Sequence, residues 1–230
     1  MKVRVKFRKN GAMKFIGHLD IMRYFQKAMR RAHIPIAFSG GYSPHMIMSF
    51  AHPLGVGLTS DGEYFDMELT EPIASTEAIS QLNETMAEGM EVVGFVEIPS
   101  DKRSAGMSIV AAADYRCILK KGKLPDHDIE LAESFYAQPE IMIMKKTKRS
   151  EKMVDIHPMI YSFEANEQGF GMQVATGSVQ NLKPSLVMEA FLNYINVSAK
   201  EISFYYHRTE IYAETNQGLE TLEALGTEIK

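Results

Sequence analysis

Three of the histidines in the first quarter of this 230-residue chain, His18, His45 and His52, stand in stretches rich in glycine or proline or beside an acid. His18 belongs to Gly-His-Leu-Asp at 17–20, His45 ends Ser-Gly-Gly-Tyr-Ser-Pro-His at 39–45, and His52 opens His-Pro-Leu-Gly-Val-Gly at 52–57. An imidazole of ordinary pKa, near ~6.5, can move protons at neutral pH, so these three are the candidate catalytic residues. Spacing does not make them a metal site. Seven residues along one strand put His45 and His52 on opposite faces, and no His-x-x-x-His or cysteine pair supports zinc. No metal and no cofactor are expected. Each histidine equally suits a packing role. Asp20, two residues after His18, does not share its helix face and suits the positive end of the helix dipole.

Gly40 and Gly41 can supply turns with positive φ, or expose backbone N–H groups to an anion. Tyr42 can stack on a base or cover a core edge. Neither GxGxxG nor a phosphate-loop pattern is present, so nucleotide binding has little support. Arg23, Lys27, Arg30 and Arg31 form the basic side of a helical pattern whose apolar side is Leu19, Met22, Phe25, Ala28, Met29 and Ala32. Guanidinium forks suit phosphate, and the same stripe suits a solvated helix face. The candidate binding residues are Arg23, Lys27, Arg30, Arg31, Gly40, Gly41, Tyr42 and His45.

The net charge of −4 hides strong segregation. Residues 1–60 carry ten Lys/Arg against one acid, while residues 61–100 carry ten Asp/Glu and no Lys/Arg. Two readings follow: mutual neutralisation within one domain, or a basic face for a polyanion such as RNA. A pI near 6.0 argues against broad non-specific nucleic-acid binding. The 45% hydrophobic and 23% charged fractions are those of a globular chain. No apolar run reaches the ~18–20 residues of a membrane span, and the first residues lack a signal-peptide core. A cytoplasmic location without membrane contact is the expectation. The single cysteine, Cys117, excludes an internal disulfide and a self-contained iron–sulfur cluster.

The elements that must position these residues follow from periodicity. Residues 3–8 alternate as a strand, the helical pattern runs from Gly17 to Ile34-Pro35, and short strands are expected at 35–38 and 46–50. Residues 63–70 form a strand, Ser75 caps a helix to about Gly89, and residues 92–98 form another strand. Polar residues 99–107 read as a linker. A second series follows: strand 108–119, helix 126–137 capped by Asp126, and strands 140–146, 159–164 and 171–175. It ends with helix 184–195, which has proline in its first turn, and strand 202–213. The expectation is an α+β chain of two tandem ferredoxin-like β-α-β-β-α-β domains with antiparallel sheets, at 1–100 and 107–214. Residues 215–230 read as an acidic tail. Lys145, Lys146, Lys148 and Arg149 form a basic loop, and Asp155-Ile156-His157-Pro158 pairs Asp with His in a turn.

Phe-Ile-Gly-His-Leu-Asp at 15–20, Arg-Arg-Ala at 30–32, residues 39–45, Pro-Leu-Gly-Val-Gly at 53–57 and Glu-Tyr-Phe-Asp-Met-Glu-Leu at 63–69 stand in a recognisable order. Together they resemble the domain of unknown function linked to radical SAM enzymes, which stands alone or follows a cobalamin-binding radical SAM module. The blocks cover about a third of the chain. Ser43 departs from the family's Gly-Phe-Asn-Pro-His pattern and replaces an Asx-turn former more weakly. The resemblance implies a radical SAM partner, in RNA or tRNA metabolism, and supplies no reaction. Lacking the cysteine trio of a radical SAM core, the chain is at most the accessory half.

Three functions follow: a substrate- or RNA-recognition module for a radical SAM enzyme, a metal-independent endoribonuclease using histidine, or a protein-interaction module without RNA. The first makes the chain something other than a stand-alone enzyme. The second rests on fold analogy with CRISPR RNA-processing endonucleases.

Overall fold

Val3, Val5 and Phe7 alternate with Arg4, Lys6 and Arg8, and this pattern makes β1 (Lys2–Lys9) the strand around which the first part of the chain assembles. The computed structural model describes residues 1–125, 128–146 and 151–230. After β1 come α1 (His18–Arg31), β2 (Met48–Ala51), β3 (Thr59–Glu68), α2 (Ser75–Asn83), β4 (Met90–Ile98) and the short α3 (Gly106–Ile109). Next are β5 (Val110–Lys121), α4 (Asp128–Tyr136), β6 (Met142–Lys146), β7 (Glu151–Asp155), β8 (Ile160–Asn166) and β9 (Gly169–Ala175). The series closes with α5 (Pro184–Tyr194), β10 (Ser203–Thr215), β11 (Gly218–Thr221) and β12 (Thr227–Glu228). The protein is a mixed α+β chain with mostly antiparallel sheet and few helices, as the periodicity predicts. No helix among the described residues is long and apolar enough to cross a membrane.

Two compact units divide the chain: Met1–Ala111 with Glu210–Lys230, and Ala112–Thr209. In the first, β4-β1-β3 are neighbours and β2 pairs with β3, all antiparallel. The apolar face of β1 and β3 meets α1 and α2 around Phe7, Phe25, Phe50 and Phe65, with Phe7 and Phe25 4.7 Å apart between ring centroids. In the second unit, β5, β9 and β8 are successive antiparallel neighbours, β10 lies beside β5, and β6 and β7 form a separate hairpin. Phe135, Phe163, Phe170 and Phe191 pack together there.

Several expectations are corrected. Residues 35–38 make only isolated bridges, Ile36 to Leu69 and Phe38 to Met46, because the chain already turns back there. Ser75 does not cap α2. Its hydroxyl accepts the Ile229 N–H at 2.9 Å, and its own N–H donates to the Ile229 carbonyl. Residues 215–230 are not a free tail: β11 pairs with β10, and β12 pairs with β4. Residues 99–107 are not a loose linker, since α3 packs on β2 and β3. Asp126 lies outside the described residues. So do Lys148 and Arg149 of the basic loop, and the side chains of Lys145 and Lys146.

The second face of the first unit's sheet carries charge. Arg4 is 1% exposed. Its Nε donates to Asp66 Oδ1 at 2.7 Å, its Nη2 to Asp66 Oδ2 at 3.0 Å and to the Ser104 carbonyl at 2.7 Å, and its Nη1 to the Leu222 carbonyl at 3.0 Å. Asp66 Oδ2 also accepts the Gly106 N–H at 2.7 Å. A Cβ at residue 106 would lie 3.0 Å from Ala51 Cβ, so glycine lets α3 approach. Beside this pair, Lys6 meets Glu210 at 2.6 Å, and the Tyr64 hydroxyl donates to Glu210 at 2.7 Å. Burial, then the Glu210 carboxylate, raises the Tyr64 pKa far above its ordinary value.

Arg4→Met is expected to lower the unfolding free energy by about 3–5 kcal/mol, because Asp66 stays buried without its counter-charge. Arg4→Met with Asp66→Leu should recover most of that loss, and urea denaturation measures both. Tyr64 predicts a pH effect: its folded pKa exceeds the unfolded ~10, so its contribution is intact below about pH 10 and lost as pH rises. Denaturation at increasing alkaline pH should show a shallower decline for Tyr64→Phe than for the unaltered chain.

Candidate functional site

Three features of the first unit gather the residues that could do chemistry. The first is a notch at the start of α1. His18 is the first helical residue, after Gly17, and its exposed ring meets Phe50 edge-on at 5.3 Å. Lys9 and Glu63 line the same notch and are only 2% and 4% exposed. Lys9 Nζ donates to the Ile16 carbonyl at 3.0 Å. Three of the five sequence blocks contribute here, through His18, Pro53-Leu54 and Glu63. The notch holds about 10 Å³, room for roughly one water and not for a substrate.

The second feature is a cavity of about 360 Å³ bordered by residues 45–49, 66–68 and Lys2. His45 stands at its rim, tied to Ser39 twice: its Nδ1 lies 2.8 Å from the Ser39 hydroxyl, and its N–H donates to that oxygen at 3.1 Å. The Ser39 N–H returns a bond to the His45 carbonyl at 2.8 Å. This cross-brace closes the glycine turn, where Gly41 has φ of 95° and Tyr42 is fully exposed. Gly40 is also exposed, and a Cβ on it would meet nothing within 4 Å, so steric need does not explain that glycine.

The third feature is the outer face of α1. Arg23, Lys27, Arg30 and Arg31 are all exposed. Arg23 makes a 3.4 Å pair with Asp20, both about two-thirds exposed, and an ion pair so wet holds little energy. Arg31 reaches the Thr85 carbonyl at 3.4 Å, whereas Lys27 and Arg30 have no ion-pair partner among the described residues. Leu19, expected on the buried side, is instead 61% exposed and heads this stripe at helical spacing. Phe15 and Val56 are exposed nearby in the same blocks.

The structure thus brings His18 to the notch and His45 to the larger cavity, and it joins neither to Arg23. His52 lines neither and has φ of 44°, a backbone state uncommon outside glycine. Lys9 and Glu63 escape charge-based reading, but period-2 counting reaches them: Lys9 is in phase with Val3, Val5 and Phe7, and Glu63 with Phe65 and Met67. Elsewhere, Asp155 is structural. It accepts the Ile141 and His157 N–H groups at 2.8 and 3.0 Å, which lowers its pKa. Burial raises the Cys117 thiol far above its ordinary pKa, so it is not a reactive thiolate. No group of three or more metal-ligating side chains occurs among the described residues.

Ser39→Ala removes the hydroxyl that braces His45. A lost hydrogen bond of about 1 kcal/mol corresponds to roughly fivefold faster exchange of the His45 amide, measured by hydrogen exchange, with global stability little changed.

Comparison with known proteins adds a family and a distant fold likeness. No curated protein matches the chain. Among solved structures, a chain from the crystal structure of a Cbf5-Nop10-Gar1 complex is similar, with a TM-score of 0.50 and 13% identity. The match covers 91% of this chain and 48% of that one, so this chain spans about half the length of its solved counterpart. At that identity the likeness concerns the fold alone. The family model for DUF2344, described as an uncharacterised protein conserved in bacteria, matches residues 2–184. With most of its length matched, the chain belongs to the DUF2344 family.

Proposed function

We propose that this chain is a recognition module, not a stand-alone enzyme, that binds RNA along α1 and works with a radical SAM enzyme. The carrying observation is the contrast between its two sets of basic residues. On β1, Lys2, Arg4, Lys6 and Arg8 each meet a carboxylate: Glu68, Asp66, Glu210 and Glu91 respectively. On α1, Lys27 and Arg30 are exposed with no such partner among the described residues. Leu19, Arg23, Lys27 and Arg30 fall in one line along the helix, and exposed Phe15 near its start adds an aromatic face. A cationic track beside an aromatic platform suits single-stranded RNA.

Other parts of the reading have separate support. The order β4-β1-β3-β2 in the first unit, and β10-β5-β9-β8 in the second, supports taking each as ferredoxin-like, with β6 and β7 as an insertion. The radical SAM partnership rests on the five blocks. With one cysteine, the chain itself does not bind the cluster of such an enzyme. A cytoplasmic setting accompanies that partnership. The endoribonuclease reading has less support, because His18 and His45 line separate cavities. Exposed Phe15, Leu19 and Val56 favour, as the second reading, a protein-docking surface without RNA.

Fluorescence anisotropy with labelled single-stranded RNA tests the proposal. Three or four phosphate contacts predict an affinity loss of roughly 20- to 50-fold between about 50 and 200 mM salt. Arg23→Glu with Arg30→Glu should weaken binding more than tenfold at low salt. Undetectable affinity at low salt would remove the RNA claim, and co-purification of a radical SAM protein without RNA would then favour docking.

A further inference from the structure

The cavity of about 360 Å³ at His45 plays no part in the α1 face, and the consecutive residues 45–49 form one side of it. Met46 is buried in the aromatic core and Met48 packs against that core, so both meet the cavity with main chain. Ile47 and Ser49 alternate with them and face the other side of the sheet, with Asp66 and Glu68. Among the described residues β2 has one strand beside it, β3. The Glu68 N–H donates to the Ile47 carbonyl at 3.2 Å, which makes 47/68 and 49/66 the bonded pairs of the ladder. Met48 lies between them, opposite Met67, so its N–H and carbonyl point away from β3. An open strand edge of this kind is a template for one more strand.

Asp101 and Ala105 border the same cavity from a braced segment. Asp101 accepts the Ser104 N–H and hydroxyl at 2.9 and 3.0 Å, and the Ser104 carbonyl accepts Arg4 Nη2 at 2.7 Å. Charge then selects what the added strand carries. Asp66 is spent on Arg4, but Glu68 is 38% exposed and has Lys2 only at 3.9 Å, beyond hydrogen-bond reach. Lys2 Nζ donates instead to the Ser100 carbonyl at 3.0 Å. Ile47, Ile98 and Ala105 offer apolar surface to the stem of a long cationic side chain. We propose that the free edge of β2 accepts an extended segment of a partner protein as an added strand, with a Lys or Arg of that segment set against Glu68. At ~3.3 Å per residue, residues 46–49 seat a segment of about three or four residues. The site stands whether or not α1 binds RNA.

The test is ¹H–¹⁵N NMR of the full chain, titrated with the capped peptide Thr-Lys-Thr-Lys-Thr. In the free chain the Met48 amide should exchange at least tenfold faster than that of Ser49, which faces β3. The peptide should saturably shift the Met48 amide and slow its exchange. Thr-Glu-Thr-Glu-Thr, and the basic peptide N-methylated at every residue, should bind at least tenfold more weakly. Glu68→Lys should weaken the basic peptide at least tenfold and strengthen the acidic one, with an unchanged thermal midpoint. Met48 exchanging as slowly as Ser49 in the free chain would overturn the proposal, as would no shift at millimolar basic peptide. Equal binding of the acidic or N-methylated peptide would overturn it too. A Met48 shift that follows protein concentration without peptide would assign the edge to a second copy of the chain, against a separate partner.

Discussion

Burying a guanidinium is costly unless its hydrogen bonds and counter-charge are in place, and meeting that cost at Arg4 organises the first unit. Its four hydrogen bonds reach β3, the segment before α3 and the carbonyl of Leu222. Removing such a charge from water is costly, so each bond must be present in good geometry for the strand to stay in register. Asp66 therefore has to stand opposite Arg4, where the β1–β3 pairing puts it. A Cβ at residue 106 would crowd Ala51 and the Arg4–Asp66 pair, so glycine there lets α3 sit close to β2. Residues near 104 and 222 have to return to the sheet, and the Ser75–Ile229 bonds pin the end of the chain that brings Leu222 there.

The same constraint sorts the charges. On β1, Lys2, Arg4 and Arg8 pair with acids of β3 and β4, and Lys6 with Glu210 and Glu223, so the opposite charges of residues 1–60 and 61–100 cancel in part within the unit. Neutralisation and a basic face turn out not to be alternatives. The strand's charges are internal, and those of α1 remain for solvent or a partner. Asp66 joins this economy of charge to the cavity, because one carboxylate both anchors Arg4 and borders the space beside Glu68.

Much of the element order was legible because it depends on local periodicity. The alternation of Val3, Val5 and Phe7, the helical spacing of Phe25, Ala28 and Met29, and Pro184 in the first turn of α5 all read correctly. Errors came where a long-range partner overrode local preference. Ser75 looked like a cap but bonds residue 229, and Leu19 looked like core but is 61% exposed. The cavity was only half legible: His45 and the glycine turn stood out, whereas Glu68 read as an ordinary strand residue.

By itself the sequence determined the α+β alternation, the amphipathic basic helix and the lack of cysteines for a cluster, since each is read from composition or from residues near one another in the chain. Only the tertiary structure decided which charges are buried, that His18 and His45 serve different cavities, and that the last residues complete a sheet. Those outcomes turn on pairings across sixty to more than two hundred residues, such as Arg4 with Asp66 and with Leu222. Periodicity carries no information at that range, whereas the cost of an unpaired buried charge acts wherever the chain brings the two partners together.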